Sequence, residues 1–214
     1  MYGWRAPSRA STFTDPGDIE KDAISNIPYD EEAILADLEI PAIAGSRDYS
    51  YYEKLLARPT LTIDGFQSGF TGRGIKTIVP SEAMVKLEAR LVPDQDPDEV
   101  IEAITHHLLK NGFGHITVTV LTKAAPSRTP MDHPFADKII QSIEEIHGVS
   151  PILYPSSGGT LPAFVFTDTL KLPAFWVPYG QNDIQNHAPN ENLRLDFYLN
   201  GIKTTAALMQ RAVE

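Results

Sequence analysis

The stretch that most constrains the fold is the segment 83–91, in which apolar and polar residues alternate strictly. One set of positions is small or apolar, and the other carries Met84, Lys86, Glu88 and Arg90. Successive side chains of a strand point to opposite faces, so the pattern predicts one buried face and one face in water or in a cleft. Arg90 offers a planar fork that suits a carboxylate. The alternative is a solvated face with local ion pairs.

The region around this strand predicts most of an α+β domain. A strand-like arm begins near residue 58, and a glycine-rich loop joins it to the alternating segment. Asp96, Pro97 and Glu99 then have the spacing of an N-cap, a first helical residue and a capping-box acid. The strand-like run 115–123 follows. Strand, strand, helix, strand is the order of an incomplete ferredoxin-like domain, in which helices back an antiparallel sheet.

Residues 1–57 show no sustained periodicity. Short helices are predicted at 30–38 and 51–56, the first because acidic residues in an opening turn suit the helix dipole. Neither segment supplies the helix and strand that would complete the domain. We therefore expect that the chain begins inside a domain, and that residues 1–123 form one unit.

A change of pattern at residues 124–130 marks a second unit, 124–214. Helices are predicted at 134–147, 161–170 and 197–213, and strands at 151–154 and 174–178. This alternation predicts part of a mostly parallel α/β sheet. Ligands of such sheets bind at the carboxyl ends of the strands. The turn 157–160 and the loop 179–192 both follow strands, so we expect them to converge on one site.

The turn Ser157-Gly158-Gly159-Thr160 runs directly into a predicted helix. Two glycines allow a ligand to approach the backbone, and free N–H groups at a helix start favour an anion. A tight strand-to-helix turn without a ligand explains the same residues equally well. The G-x-S-x-G order of a nucleophile elbow is absent from this turn.

His187 is a candidate metal ligand because it lies in a proline-stiffened polar loop. A surface histidine is the alternative. A catalytic zinc needs about three protein ligands, and the chain contains no H-x-x-x-H, H-E-x-x-H or H-x-D spacing. The glycine-rich loop 69–77 does not have the phosphate-loop spacing and precedes a strand, which argues against nucleotide binding.

Composition excludes several classes of function. A net charge of -10 repels nucleic acid and anionic membranes, so we expect neither as a partner. The absence of cysteine excludes disulfides, thiolate zinc sites and cysteine nucleophiles, and it fits a reducing cytoplasm. No apolar run has the length of a membrane span, and the N-terminus is unlike a signal peptide, so we expect a cytoplasmic protein.

Several segments, taken together and in order, resemble one family: TIDGFQSG in the first arm, then GRGIKTIVP, LEARLVPDQDP, a glycine pair before a Leu-Pro dipeptide, and NHAPNE. Residues 58–214 resemble the dinuclear-metal exopeptidases and deacylases. This family includes carnosinase, acetylornithine deacetylase, succinyl-diaminopimelate desuccinylase and glutamate carboxypeptidase. The chain is most similar to the carnosinase-like dipeptidase branch.

The resemblance implies a zinc-binding catalytic domain with a smaller inserted lid domain that also forms the homodimer. Residues 1–123 match the later part of the lid, and residues 124–214 match the last part of the catalytic domain. His187 matches the final metal-ligand histidine, and Arg90 matches an arginine that binds the substrate carboxylate. Thr77 matches a lid residue that reaches an active site across the dimer.

The glycine-pair turn also has a counterpart in the family. Gly158, Gly159 and Thr160 match the turn that holds the carboxyl end of the substrate, where many relatives have serine in place of Thr160. Many relatives have an acidic residue at the position of Ser157. The role of that acidic residue is therefore not expected in this chain.

The resemblance further implies that the catalytic residues lie upstream of the matched region. These are the H-x-D ligand pair, the Glu-Glu pair of general base and ligand, another acidic ligand and a lid histidine. In the intact enzyme two divalent metals, zinc or else manganese or cobalt, polarise a water that attacks the amide of a dipeptide or an N-acyl amino acid. We therefore expect a hydrolase fragment that contains no catalytic residue, binds no metal tightly and is inactive alone.

Two other functions fit parts of the chain. A non-catalytic binding or dimerisation module of the same fold would keep the sheet edge and helices of the lid. An amino-acid-binding regulatory domain of ferredoxin-like type would explain residues 58–123 but not the HAPNE loop or the second unit. The upstream sequence separates the hydrolase from the module, because only the hydrolase has H-x-D and Glu-Glu there.

Overall fold

The computed structural model describes residues 13–213, so the first twelve residues of the predicted unit 1–123 lie outside it. In chain order the elements are α1 (Asp18–Ser25), α2 (Glu31–Asp37), α3 (Tyr51–Ala57), β1 (Thr60–Ser68), β2 (Ala83–Arg90), α4 (Pro97–Lys110), α5 (Phe135–His147), a π-helical turn (Val165–Thr169) and α6 (Leu195–Ala212). None of the described helices is long and apolar enough to cross a membrane.

The predicted strands on both sides of the glycine-rich loop are confirmed. β1 and β2 pair antiparallel, with Thr60 opposite Arg90. The register shifts between Ile63 and Gly65, so Asp64 is the extra residue of a β-bulge. Without the bulge, every residue of β1 beyond it would move to the opposite face.

The bulge gives the pair one apolar face. Ile63 lies opposite Leu87, and Phe66 lies opposite Val85. The prediction that this face is buried is wrong for the described chain, since Val85 and Leu87 are 44% and 48% exposed. The physical reason is that α4 does not pack closely on the strands, and residues of both strands and of α4 line one open cavity of about 3340 Å³.

The predicted helix starts in the first unit are confirmed. Asp30 caps α2 by accepting the Ala33 N–H at 3.0 Å. Ser50 and Glu53 form a complete capping box at the start of α3, in which each side chain accepts the backbone N–H of the other residue.

The start of α4 agrees with the prediction in position but not in its capping partner. Asp96 is the N-cap and Pro97 follows it. The Asp96 carboxylate accepts the Asp98 N–H at 2.7 Å. The predicted box with Glu99 does not form, because the Asp96 side chain is engaged one residue earlier.

Helices α5 and α6 pack against each other, and both were predicted. α5 ends at Gly148, whose φ of +72° is the left-handed C-cap conformation. Ser142 and Thr204 are fully buried where the helices meet. The His147 Nε2 lies 3.1 Å from the Thr204 hydroxyl and links the end of α5 to α6.

Three predicted strands, 115–123, 151–154 and 174–178, join no sheet within residues 13–213. A strand needs a hydrogen-bonded neighbour. At Ala174 the hydroxyl of Thr129 takes that place, since it bonds both the Ala174 N–H and the Ala174 carbonyl, at 2.9 and 3.0 Å. The antiparallel β1–β2 pair is therefore the sheet of the described chain, and the predicted parallel sheet is not formed there.

The chain exposes an unusually large surface. Its accessible area is 16579 Å², whereas a compact monomer of this mass exposes about 9,800 Å². The buried apolar cluster lies in the first helices and contains Ile24, Ile27, Leu56 and Ala57, with Tyr52 packed against it. Much of the apolar surface of the strands is thus left open, and the apolar stripe of α4 is only half-buried.

Candidate functional site

Arg90 joins strand β2 to the glycine turn 157–160. It is the last residue of β2, and its Nη1 donates to the carbonyl of Gly158 at 3.0 Å. Its Nη2 donates to Glu88 at 3.2 Å, and the Arg90 side chain is 44% exposed. A guanidinium has five N–H donors in a fixed fork, so these bonds orient the group and leave donors for an anion. The local ion pair and a substrate-binding role are therefore compatible.

The backbone at Gly158 requires glycine. Its φ is +62°, and a Cβ added there would lie 2.8 Å from the carbonyl oxygen of Leu55. Its N–H reaches the Ser156 hydroxyl at 3.5 Å, and the Gly159 N–H reaches the Ser157 hydroxyl at 3.4 Å. The turn is thus held against α3 on one side and against Arg90 on the other.

The predicted helix 161–170 is present as the π-helical turn Val165–Thr169. The glycine pair therefore does not stand at a helix N-terminus, and the prediction that such a terminus attracts an anion here is wrong. Pro162 lies between the glycines and the π-helical turn and cannot donate a backbone hydrogen bond. Positive charge at this turn comes from Arg90 instead.

The predicted substrate-binding residues fall into two groups. Arg90, Gly158, Gly159 and Thr160 all line the open cavity. Thr77 lies in the exposed loop between β1 and β2 and does not line this cavity. The direct contact that the structure shows among these residues is the hydrogen bond from Arg90 to Gly158.

His187 lies in a loop with unusual backbone geometry. Its φ is +60°, and Gln185 and Asn190 also have positive φ. The buried side chain of Gln181 closes the loop. It donates to the Asn192 side chain at 2.8 Å and accepts the Arg194 N–H at 3.2 Å.

Sequence reasoning did not single out Gln181. The only signal was a glutamine directly after the turn Tyr179-Gly180, which does not show that the side chain turns inward. Its burial, at 5% exposure, makes it the residue that fixes the conformation of the His187 loop. His187 itself is exposed.

Metal binding was tested against the residues present. Across residues 13–213, no three His, Asp or Glu side chains lie close enough to hold one metal ion. His187 therefore does not belong to a complete metal centre within this range. A catalytic zinc requires about three protein ligands, and the described residues do not fit one.

Comparison with known proteins decides the family. Residues 44–211, well over half of the chain, match Peptidase family M20/M25/M40. The chain belongs to this family. The assignment confirms the predicted resemblance.

Several relatives of the chain are named as dipeptidases. The Cys-Gly metallodipeptidase of Schizosaccharomyces pombe is 29% identical over 151 residues, which cover 68% of this chain and 32% of that protein. The Beta-Ala-His dipeptidase of Rattus norvegicus is 26% identical over 194 residues, which cover 88% of this chain and 39% of that protein. The chain thus spans well under half the length of these relatives.

Solved structures share the fold. An M20 family metallo-carboxypeptidase from Sulfolobus solfataricus has a TM-score of 0.81 and 33% identity, over 92% of this chain and 45% of that chain. Human carnosine dipeptidase 1 has a TM-score of 0.74 and 22% identity, over 94% of this chain and 43% of that chain. These matches support the mixed α/β class that the sequence predicted.

Proposed function

We propose that this chain is the C-terminal part of a metal-dependent hydrolase that cleaves the amide bond of dipeptides. Two relatives of the same family are named as dipeptidases, and both are more than twice as long as the region they share with this chain. Residues 1–123 are proposed as the later part of a lid and dimerisation domain, and residues 124–214 as the end of the catalytic domain. N-acyl amino acids are proposed as a second substrate class.

The Arg90–Gly158 hydrogen bond carries the proposal. It joins a strand of the first unit to a glycine turn of the second unit across 68 positions of sequence. Charge-assisted, forked donors are suited to a carboxylate. Arg90 therefore holds the free carboxylate of the substrate, and the turn at Gly158–Thr160 lies alongside it.

Three further assignments belong to the intact enzyme. His187 supplies one ligand of a site for two divalent metals, zinc or else manganese or cobalt, whose remaining ligands and general base come from an upstream region. Thr77 contributes to the active site of a second copy in a homodimer formed by the lids. The enzyme acts in the cytoplasm, which the lack of cysteine supports.

A second candidate function is a non-catalytic binding or dimerisation module. The observation in its favour is the exposed apolar face of the β1–β2 pair, where Ile63 and Phe66 are each 70% exposed. Such a face suits an interface between proteins. This candidate predicts partner binding without turnover.

The test is made on the native polypeptide purified from its source cell. Its intact mass is measured, and hydrolysis of dipeptides and N-acyl amino acids is assayed with zinc, manganese or cobalt and after chelation. We expect a mass about twice that of this chain, as the coverage of the relatives indicates, and turnover that chelation abolishes. A product that starts at Met1 and shows no turnover with any of these metals would favour the non-catalytic module.

A further inference from the structure

An aromatic groove lies between α2, α3 and the segment before the glycine turn. We use this name for the groove of about 470 Å³ lined by Ile34, Asp37, Tyr51, Tyr52, Leu55 and Tyr154. Its volume is within the range of pockets that hold small molecules or single side chains. Residues four apart on each helix, Tyr51 and Leu55 on α3 for example, lie on one face and so form its walls.

The tyrosines of the groove are held by one another and by the core. The rings of Tyr51 and Tyr52 lie 5.2 Å apart edge to face, and those of Tyr52 and Tyr154 lie 6.0 Å apart in the same way. Tyr52 also packs on the buried cluster of the first helices. Burial raises the pKa of Tyr154 further above its usual range, and a tyrosine is already neutral near pH 7. The groove therefore has fixed aromatic walls.

Leu55 connects the groove with the glycine turn beside Arg90. Leu55 and Tyr154 line both the groove and the open cavity that contains Arg90. The Leu55 carbonyl lies directly beside Gly158, whose own carbonyl accepts the hydrogen bond from Arg90. These contacts lead from Arg90 through Gly158 to Leu55, which forms a wall of the groove.

The charge of the groove selects a cation. Asp37 is its charged residue, and the segment 29–39 has five acidic residues and no basic one. Lys54, which precedes Leu55 on α3, donates its ammonium to the Ala44 carbonyl at 3.4 Å. Tyrosine faces attract cations, so the walls and Asp37 favour the same type of occupant.

We propose that the aromatic groove binds the cationic side chain of a lysine or arginine at the C-terminal position of the dipeptide. This inference rests on the proposed function. Asp37 provides charge complementarity, and Tyr51, Tyr52 and Tyr154 surround the methylene chain and the charged end. The groove thereby makes the enzyme selective for basic C-terminal residues.

The experiment compares Ala-Lys with Ala-norleucine, which has a side chain of the same carbon length without the ammonium. The ratio of the two kcat/KM values is measured for the metal-loaded native polypeptide and its variants. We expect a preference of about tenfold for Ala-Lys. Asp37→Asn should reduce this ratio about fivefold, and Tyr154→Leu should reduce it about threefold.

Two controls match these variants. Glu32→Gln removes a charge from the same helix at a position that does not line the groove, and Tyr198→Leu removes an exposed tyrosine from α6. Neither should change the ratio. A partly unfolded variant loses activity on both substrates equally, so the ratio reports selectivity even when stability falls.

The outcomes separate the two proposals. Turnover of both dipeptides with a ratio near one, or a ratio that Asp37→Asn leaves unchanged, overturns the groove assignment and leaves the dipeptidase intact. A preference for Ala-norleucine also overturns it. No turnover of any dipeptide by the metal-loaded native polypeptide overturns the proposed function, and the groove assignment with it.

Discussion

Gly158 shows how one residue links three parts of the chain. Its left-handed φ permits the turn, its missing Cβ admits the Leu55 carbonyl, and its own carbonyl accepts the bond from Arg90. No other residue type satisfies the first two conditions without strain.

Gly158→Ala should therefore displace the turn from α3. We expect a loss of about 2 kcal/mol in the free energy of unfolding, measured by urea denaturation. In the native enzyme the KM for dipeptides should rise at least about tenfold, because the turn beside Arg90 moves. Gly65→Ala is the control, since its φ is not positive and the nearest atom would be 3.9 Å away. Equal effects of the two substitutions would show that the Leu55 contact does not matter.

At the residue scale the sequence singled out Arg90 and the glycine pair, but it did not predict the hydrogen bond between them. Arg90 and the glycine pair were found from alternation and from the glycine motif. The roles of Gln181 and Leu55 were not predicted. Gln181 acts through hydrogen bonds to Asn192 and Arg194, which lie more than ten positions away, and Leu55 acts through its backbone carbonyl. A contact made by a backbone carbonyl, such as that of Leu55, cannot be predicted from the residue type, because every residue has a carbonyl group.

At the scale of elements, helix starts were predictable because capping is local. The side chains of Ser50 and Glu53 act on N–H groups only three residues away. The bulge at Asp64 was not predictable, because register depends on the partner strand. The prediction of the three strands that join no sheet was wrong for a related reason. A strand needs a hydrogen-bonded partner, and its own sequence does not specify that partner.

The capping box of α3 gives a prediction at this scale. Ser50→Ala should destabilise α3 by about 1 kcal/mol. The readout is faster amide hydrogen exchange at Glu53, whose N–H donates to Ser50 Oγ at 3.2 Å. Ser81→Ala, in an exposed loop, should leave that exchange rate unchanged. Unaltered exchange at Glu53 in Ser50→Ala would show that the box does not hold the helix.

The same box has a defined pH dependence. The hydrogen bond from the Ser50 backbone N–H holds the pKa of Glu53 below its usual range. A depressed carboxyl pKa stabilises the folded helix above the unfolded value of about 4.3, and this contribution is lost as the pH falls through the lower folded pKa. Protection at Glu53 should accordingly decrease below about pH 4 in the wild type, whereas Glu53→Gln, which has no titrating carboxyl group, should show no such decrease.

At the scale of the whole molecule, the chain has too much open apolar surface to be explained by its own packing. The accessible area of 16579 Å² and the exposed face of β1–β2 indicate surfaces that other polypeptide covers. The lid sheet, the catalytic domain and a second subunit are the proposed sources. Family membership was predictable because its motifs occur in order along the sequence. The large exposed apolar surface was not predictable, because no local sequence pattern shows which polypeptide a surface contacts.

The measurement that tests the central claim most directly compares a dipeptide with the same dipeptide amidated at its C-terminus. For the native enzyme, kcat/KM should favour the free carboxylate by about 30-fold, because a charge-assisted bond to Arg90 forms only with the acid. Arg90→Ala should bring the ratio of the two kcat/KM values close to one, whereas displacement of the glycine turn alone lowers both values and leaves the ratio unchanged. Arg211→Ala, which removes an arginine paired with Glu145 on α5, should keep the preference. An Arg90→Ala enzyme that still discriminates fully between the acid and the amide would contradict the account.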